Sequence, residues 1–324
     1  MSRASEQPLS ERTIMRVMIF GGTGFIGKAI ADKLYSVGYQ VDILSRTRES
    51  NTQLQLRYVA GDLIEGSYPA LNGYDVIVNC AGEIRAEDFM RPLHVVAVEK
   101  ALDTLSARCG VHWVQISSVG VYGPRVEGII DEGDEFKPVG SYEETKAEGE
   151  ILVRERCLEK GIPFTVLRPS NVFGEGMPNR SLAQLLGMIR KGIFFYIGNP
   201  NAYTMNYVYV EDVVQMVMLA ITNPNARNQD FIISDCVSQR DFVQIAREEL
   251  GGRGTLQAPG SLVQAISRFG TFIPGFPLTN ARISALTLSS TYSTTKAEHL
   301  LGYSANVGIV AGLRRYCRHL KANA

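Results

Sequence analysis

Tyr142 and Lys146 stand at i and i+4 in SYEETK, and Ser118 lies upstream of them in SSVGVYG. On a helix, residues spaced i and i+4 share one face, so the lysine charge sits beside the phenol and is expected to lower its pKa. A phenol tuned in this way gives and takes a proton, and a serine hydroxyl brought beside it hydrogen-bonds the same reacting oxygen. The i, i+4 spacing alone also fits a solvated helix face. What selects the chemical reading is its company elsewhere in the chain.

That company begins at GGTGFIG, residues 21–27, which directly follows the apolar run Arg16 to Phe20 and leads into a helical pattern near Lys28. Gly21, Gly24 and Gly27, with Thr23, Phe25 and Ile26 between them, make a turn in which glycine permits positive φ and close backbone approach to a pyrophosphate at a helix N-terminus. The GxxGxxG spacing differs from the commoner GxGxxG, and an ordinary glycine turn is the alternative. The second strand pattern, QVDIL, ends at Ser45 and Arg46. A carboxylate there would accept from a ribose 2′-hydroxyl, whereas a hydroxyl and a guanidinium suit a 2′-phosphate, so NADP(H) is preferred, with NAD(H) as the alternative cofactor. Arg46 and Arg48 as solvated loop charges are the competing view. In GDL, Asp62, followed by Leu63, is placed to accept from an adenine amino group, and Cys80, Ala81 and Gly82 are small enough for a nucleotide to lie against the sheet.

With these motifs the chain resembles the extended short-chain dehydrogenase/reductase family, also called the NAD-dependent epimerase/dehydratase family. The likeness also takes in LRPSNVFG from Leu167, NYVYVEDV from Asn206 and TTKAEHLLGY from Thr294. The resemblance implies a Rossmann-type doubly wound parallel α/β sheet with a smaller C-terminal substrate-binding region. It implies Ser118, Tyr142 and Lys146 as the catalytic trio, with Tyr142 and Lys146 also touching the cofactor. Pro169 and Val172 would lie on the nicotinamide side, and Asn171, with Ser118 and Tyr142, on the substrate. Relatives that perform 4,6-dehydration carry an Asp-Glu pair after the serine; Val119 and Gly120 stand here instead, which disfavours that reaction. His94 stands where the family usually has asparagine, as a packing residue or as one with a role of its own. The resemblance also implies a homodimer through the helix of Tyr142 and Lys146, with Ala147, Ile151 and Leu152 on its outer face, packed with the helix after Met90.

The elements that must position these residues follow from apolar periodicity. Strand patterns at Arg16 to Phe20, Gln40 to Leu44, Arg57 to Ala60, Asp75 to Cys80, Val111 to Ser117 and Phe164 to Arg168 alternate with helical ones. Such alternation implies right-handed crossovers and a mostly parallel sheet clothed on both faces. Residues 1–14 read as a disordered leader, 15–170 as the dinucleotide-binding domain, and 171–324 as mainly substrate-binding, with some elements returning to the first domain. Helical patterns there include Ser181 to Lys191 and Gln239 to Leu250. Residues 251–280, rich in Gly, Pro and Phe, suit either a lid over an apolar ligand or a packed loop.

Composition narrows the partners. The 324 residues hold 33 basic and 33 acidic side chains and are 45% hydrophobic, which excludes a nucleic-acid field and favours a small-molecule partner. Five scattered cysteines without CxxC spacing suit a reducing, cytoplasmic compartment, and four histidines form no metal-ligand spacing. No apolar run is long enough for a membrane span. The function expected is hydride transfer at a carbinol or ketone carbon, by an oxidoreductase or epimerase acting on a nucleotide-linked sugar. A lipophilic alcohol or ketone is the second substrate class, and a dinucleotide-sensing binding protein without catalysis is the reading from another class.

Overall fold

The computed structural model describes residues 14–47, 56–252, 256–258 and 287–323. Arg48 and nearly all of the Phe-rich stretch 251–280 lie outside them, as do residues 1–13 of the expected leader. Seven strands form one parallel sheet: β1 (Arg16–Phe20), β2 (Gln40–Ser45), β3 (Arg57–Ala60), β4 (Val76–Asn79), β5 (His112–Ile116), β7 (Phe164–Pro169) and β11 (Gln229–Ile233), in the order β11-β7-β5-β4-β1-β2-β3. The fold is therefore the Rossmann-type α/β sheet expected, with the order reversing at β1 and β4. In open sheets of this kind the carboxyl ends of the strands at that reversal frame the ligand crevice.

Why these segments are strands is visible in their burial. β1, β4, β5 and β7 are buried at almost every position, as strands covered on both faces must be. On one face α1 (Phe25–Ser36) and α6 (Val210–Thr222) pack on Ile19, Ile43 and Val78. The other face takes α3 (Ala97–Thr104) and α4 (Ser141–Lys160) on Phe20, Ile77 and Trp113. A charge inside β2 is satisfied in place: both carboxylate oxygens of buried Asp42 accept from Arg57 at 2.7 Å, and the Tyr74 hydroxyl donates to Oδ2 at 2.6 Å. A buried carboxylate without such partners would be costly.

A smaller assembly follows β7. A second sheet, β12-β10-β8, joins β8 (Asn171–Phe173), β10 (Thr204–Tyr209) and β12 (Asp235–Ser238). Helices α5 (Ser181–Lys191), α7 (Gln239–Leu250) and Gly308–Ala322 pack on it around Phe173, Leu186, Phe242 and Leu313. The first two span the residues expected from periodicity, and Ser238 caps α7 by accepting the Asp241 N–H at 3.0 Å. Two short parallel pairs complete the strands: β6 (Ile129–Ile130) with β14 (Thr291–Tyr292), and β9 (Phe195–Ile197) with β13 (Leu256–Ala258). Both α6 and β11 come from beyond residue 171, and yet β11 joins the first sheet and α6 packs on it.

Candidate active site

The glycine turn runs from the end of β1 into α1. Gly21 has φ +73°, and a Cβ on it would stand 2.7 Å from the Ala81 nitrogen; one on Gly27 would overlap the Gly21 carbonyl oxygen. These glycines let the loop fold tightly against β4 and start the helix at once. The first turn of α1 carries no acidic residue, and Gly24 at its N-cap supplies no capping side chain. Its amides therefore suit an anion. Phe25 leaves the turn to lie 3.4 Å from the position a Cβ on Gly174 would take, joining the turn to the end of β8.

At the end of β2 the Ser45 hydroxyl is committed locally, donating to the Thr47 carbonyl at 2.7 Å and accepting the Thr47 N–H at 3.3 Å. Arg46 extends into solvent, its side chain 81% exposed, with Nε 4.0 Å from Asp62 Oδ2. Asp62 Oδ1 accepts the amides of Ile64 and Glu65 at 2.8 and 3.2 Å, so half of the carboxylate is spent on its own turn. Leu63 is buried in the core with Phe20 and Leu44. The floor at the end of β4 is held by a residue that periodicity does not mark. Asn79 accepts the Ala81 N–H at 3.1 Å and donates to Gln115 at 3.0 Å, fixing the bend through Cys80 and Ala81.

Beyond that floor Ser118, Tyr142 and Lys146 converge. Ser118 caps the 3-10 turn Val119–Tyr122 by accepting the Gly120 N–H at 3.1 Å, which leaves its own hydrogen for another acceptor. Lys146 is buried on α4; its Nζ donates to the Ile116 carbonyl at 3.1 Å and lies 3.5 Å from where a Cβ on Gly82 would be. With three hydrogens and that one acceptor, the ammonium retains donors for a diol beside Gly82. Burial lowers the Lys146 pKa to about 8. The Tyr142 phenol departs from expectation. Burial pushes it up to about 12, the neighbouring Glu143 charge adds to that, and the Ser118 hydrogen bond draws it partly back. Lys146 Nζ is 6.0 Å from the phenol ring centroid and is no cause of the shift; desolvation outweighs the expected lysine effect.

His94 lies under this cluster. The helix after β4 runs from α2 (Glu87–Arg91) through a π-helical turn, Pro92–Val96, into α3, and Pro92 supplies no N–H for a regular bond there. His94 Nε2 accepts the Glu83 N–H at 2.9 Å, so the hydrogen is on Nδ1 and goes to Thr145 Oγ1 at 2.8 Å. Thr145 passes a hydrogen to the Ser141 carbonyl at 2.7 Å, and the imidazole meets the Tyr142 ring edge-on at a centroid distance of 5.6 Å. Burial first, and then the Lys146 charge, lower the His94 pKa to about 3, against a smaller raising effect of Glu83. A Cβ on Gly149 would overlap the His94 carbonyl oxygen, so glycine is what lets α4 cross the π turn this closely.

Arg168 completes the support. Fully buried at the end of β7, it binds Glu150 of α4, donates to the Tyr122 hydroxyl at 2.5 Å and pairs with Asp230 at 2.8 Å. One guanidinium thus ties the helix of Tyr142 to the turn of Ser118. A charged residue inside the apolar run FTVLRP was its sequence signal. On the facing side, Pro169 is buried, Val172 packs against the core, and exposed Asn171 donates to the Asn206 carbonyl at 3.0 Å. Asn206 Oδ1 is buried without a hydrogen-bond partner. Among the described residues, no group of His, Cys, Asp and Glu is arranged to hold a metal ion, and no helix is long and apolar enough to cross a membrane.

Comparison with known proteins places this geometry. The family model "NAD dependent epimerase/dehydratase family" matches residues 17–234. Human sterol-4-alpha-carboxylate 3-dehydrogenase, decarboxylating, is 25% identical over 232 residues, 67% of this chain and 60% of that protein. The dTDP-6-deoxy-L-talose 4-dehydrogenase (NAD(P)(+)) of Kitasatospora kifunensis is 33% identical over 179 residues, 52% of this chain and 55% of that protein. The chain thus spans less than two thirds of the length of either relative. Among solved structures, UDP-glucuronic acid 4-epimerase from Bacillus cereus in complex with NAD superposes with a TM-score of 0.73 at 18% identity, covering 95% of this chain and 97% of that one.

Proposed function

The chain belongs to the NAD dependent epimerase/dehydratase family, and on that premise we propose that it is an enzyme transferring a hydride at a carbinol or ketone carbon of a nucleotide-linked sugar, with NADP(H) as cofactor. The observation that carries the reading is the convergence of Ser118 and Tyr142 with Lys146, whose buried ammonium lies 6.0 Å from the Tyr142 ring centroid and 3.5 Å from the point a Cβ on Gly82 would take. Gly21 to Gly27 and the N-terminus of α1 hold the pyrophosphate, Arg46 the 2′-phosphate, and Lys146 the nicotinamide ribose. When bound, the nicotinamide supplies or accepts the hydride. Tyr142 exchanges the hydroxyl proton, and Ser118 donates a hydrogen bond to the same oxygen. Burial keeps the Tyr142 phenol protonated at neutral pH, the form that can donate a proton to a carbonyl oxygen.

Asn171 and the unpartnered Asn206 acceptor favour a hydroxyl-rich substrate. Similarity to a sterol dehydrogenase favours a second reading, a lipophilic alcohol or ketone. A thermal-shift panel of NAD, NADP, UDP-sugars, dTDP-sugars and a 3β-hydroxysterol tests the assignment. Stabilisation by NADP together with a nucleotide sugar is expected; stabilisation by the sterol alone would replace the first reading by the second. Cofactor that survives gel filtration would mark an epimerase, and its loss a reductase.

The homodimer proposed from the family resemblance needs a revised face. Ala147 is buried against Val119, Val121 and Tyr122, and Leu152 packs partly against the sheet core. The apolar surface on these helices is instead Phe89, Ile151 and Leu158, which are 57%, 47% and 59% exposed. An isologous contact through them predicts a dimeric mass by light scattering, reduced to a monomer by Ile151→Glu.

A further inference from the structure

Gly120 has a neighbour that the reading above does not use. The point where a Cβ on Gly120 would sit lies 2.8 Å from Glu143 Cγ, 3.7 Å from Glu143 Oε1 and 3.3 Å from Ser118 Oγ. Glu143 therefore folds back over the 3-10 turn from the first turn of α4 and fills the space a side chain at position 120 would take. Glu144, the exposed acid beside it, faces solvent and suffices to complement the helix N-terminus. Glu143 is half-buried, and among the described residues its carboxylate has no hydrogen-bond or ion-pair partner. Its charge is nonetheless felt by the Tyr142 phenol.

We propose that Glu143 is a specificity residue, placing a carboxylate over the 3-10 turn that Ser118 caps so that the site takes substrates with a hydroxyl-bearing substituent next to the reacting carbon and rejects those with a carboxylate there. The proposal rests on the assignment of Ser118 and Tyr142 to the reacting oxygen. A ligand hydroxyl meets an unspent acceptor at Glu143, whereas a ligand carboxylate meets a like charge in a partly desolvated pocket. Removing that repulsion is expected to change the preference roughly tenfold to a hundredfold.

The test uses the full chain and two substrates that differ only at C6, UDP-glucose with a hydroxymethyl group and UDP-glucuronic acid with a carboxylate, with wild type and the near-isosteric Glu143→Gln. Circular dichroism checks that both proteins are folded, and Glu143→Ala is the second variant. Wild type should favour UDP-glucose in kcat/KM, and Glu143→Gln should bring the ratio toward one through a lower KM for UDP-glucuronic acid. An unchanged ratio, or a wild-type preference for UDP-glucuronic acid, overturns the proposal. If neither UDP-sugar is turned over, the same comparison on a 3β-hydroxysterol and its 4α-carboxylate decides the role of Glu143. If none of the four compounds is turned over, the dissociation constants of UDP-glucose and UDP-glucuronic acid for wild type and Glu143→Gln decide it, and a ratio that the substitution leaves unchanged overturns the proposal.

Discussion

His94 Nε2 accepts the backbone N–H of Glu83 at 2.9 Å, so the imidazole beneath Tyr142 is a neutral spacer between the chain after β4 and α4. Protonating Nε2 would break that bond and bring a positive charge near Lys146. The folded pKa of about 3 lies below the ordinary histidine value. Its contribution to stability is then fully present above about pH 6.5 and is lost as the pH falls toward 3. Between pH 7 and pH 5 this one group should remove about 2 kcal/mol from the unfolding free energy. His94→Asn, lacking the titration, should lose that much less over the same interval in urea unfolding. Equal pH dependence of the two proteins would mean that His94 titrates normally in the fold.

The buried contact between Arg168 and Glu150 makes a stability prediction. Glu150→Ala leaves the guanidinium with Asp230 and the Tyr122 hydroxyl but removes its best partner. Breaking one side of a buried pair typically costs about 3 kcal/mol or more. The midpoint of urea unfolding should fall accordingly, and Glu150→Gln, which keeps an acceptor, should fall less. A Glu150→Ala protein as stable as wild type would show that Asp230 alone satisfies Arg168.

The proposed NADP preference rests on Arg46 more than on Ser45, because the Ser45 hydroxyl is engaged with Thr47. A charge-assisted contact to the 2′-phosphate is worth roughly 1.5 to 3 kcal/mol. Arg46→Ala should therefore weaken NADP binding about tenfold to a hundredfold by calorimetry while leaving NAD nearly unchanged, and the effect should shrink with added salt. Ser45→Asp should reverse the preference by setting a like charge against the phosphate. Tighter binding of NAD than NADP by the wild type would refute the assignment.

Much of this architecture is legible in local pattern. Strands Arg16–Phe20 and Arg57–Ala60 and helices Ser181–Lys191 and Gln239–Leu250 span the residues that periodicity marks. The expected strand Asp75 to Cys80 is shorter at both ends, and each end has a cause. The Asp75 side chain takes the Arg16 N–H at 2.7 Å, and Asn79 turns the chain at Cys80. The site was less legible wherever a partner is remote in sequence. Nothing local to His94 points to Glu83 and Thr145, and nothing local to Gly120 points to Glu143. The phenol pKa is illegible in spacing as well: i, i+4 brings Lys146 to the face of Tyr142, but burial of the whole face dominates the shift.

Tyr142→Phe tests the central claim most directly, because it removes only the exchangeable hydroxyl from a ring that His94 and α4 continue to hold. Turnover of the substrate identified by the thermal-shift panel, followed through NADPH absorbance, should fall by roughly two to four orders of magnitude. The NADP dissociation constant should stay within about twofold, since Lys146 and the glycine turn are untouched. Activity within about threefold of wild type would contradict the account and remove Tyr142 from the chemistry.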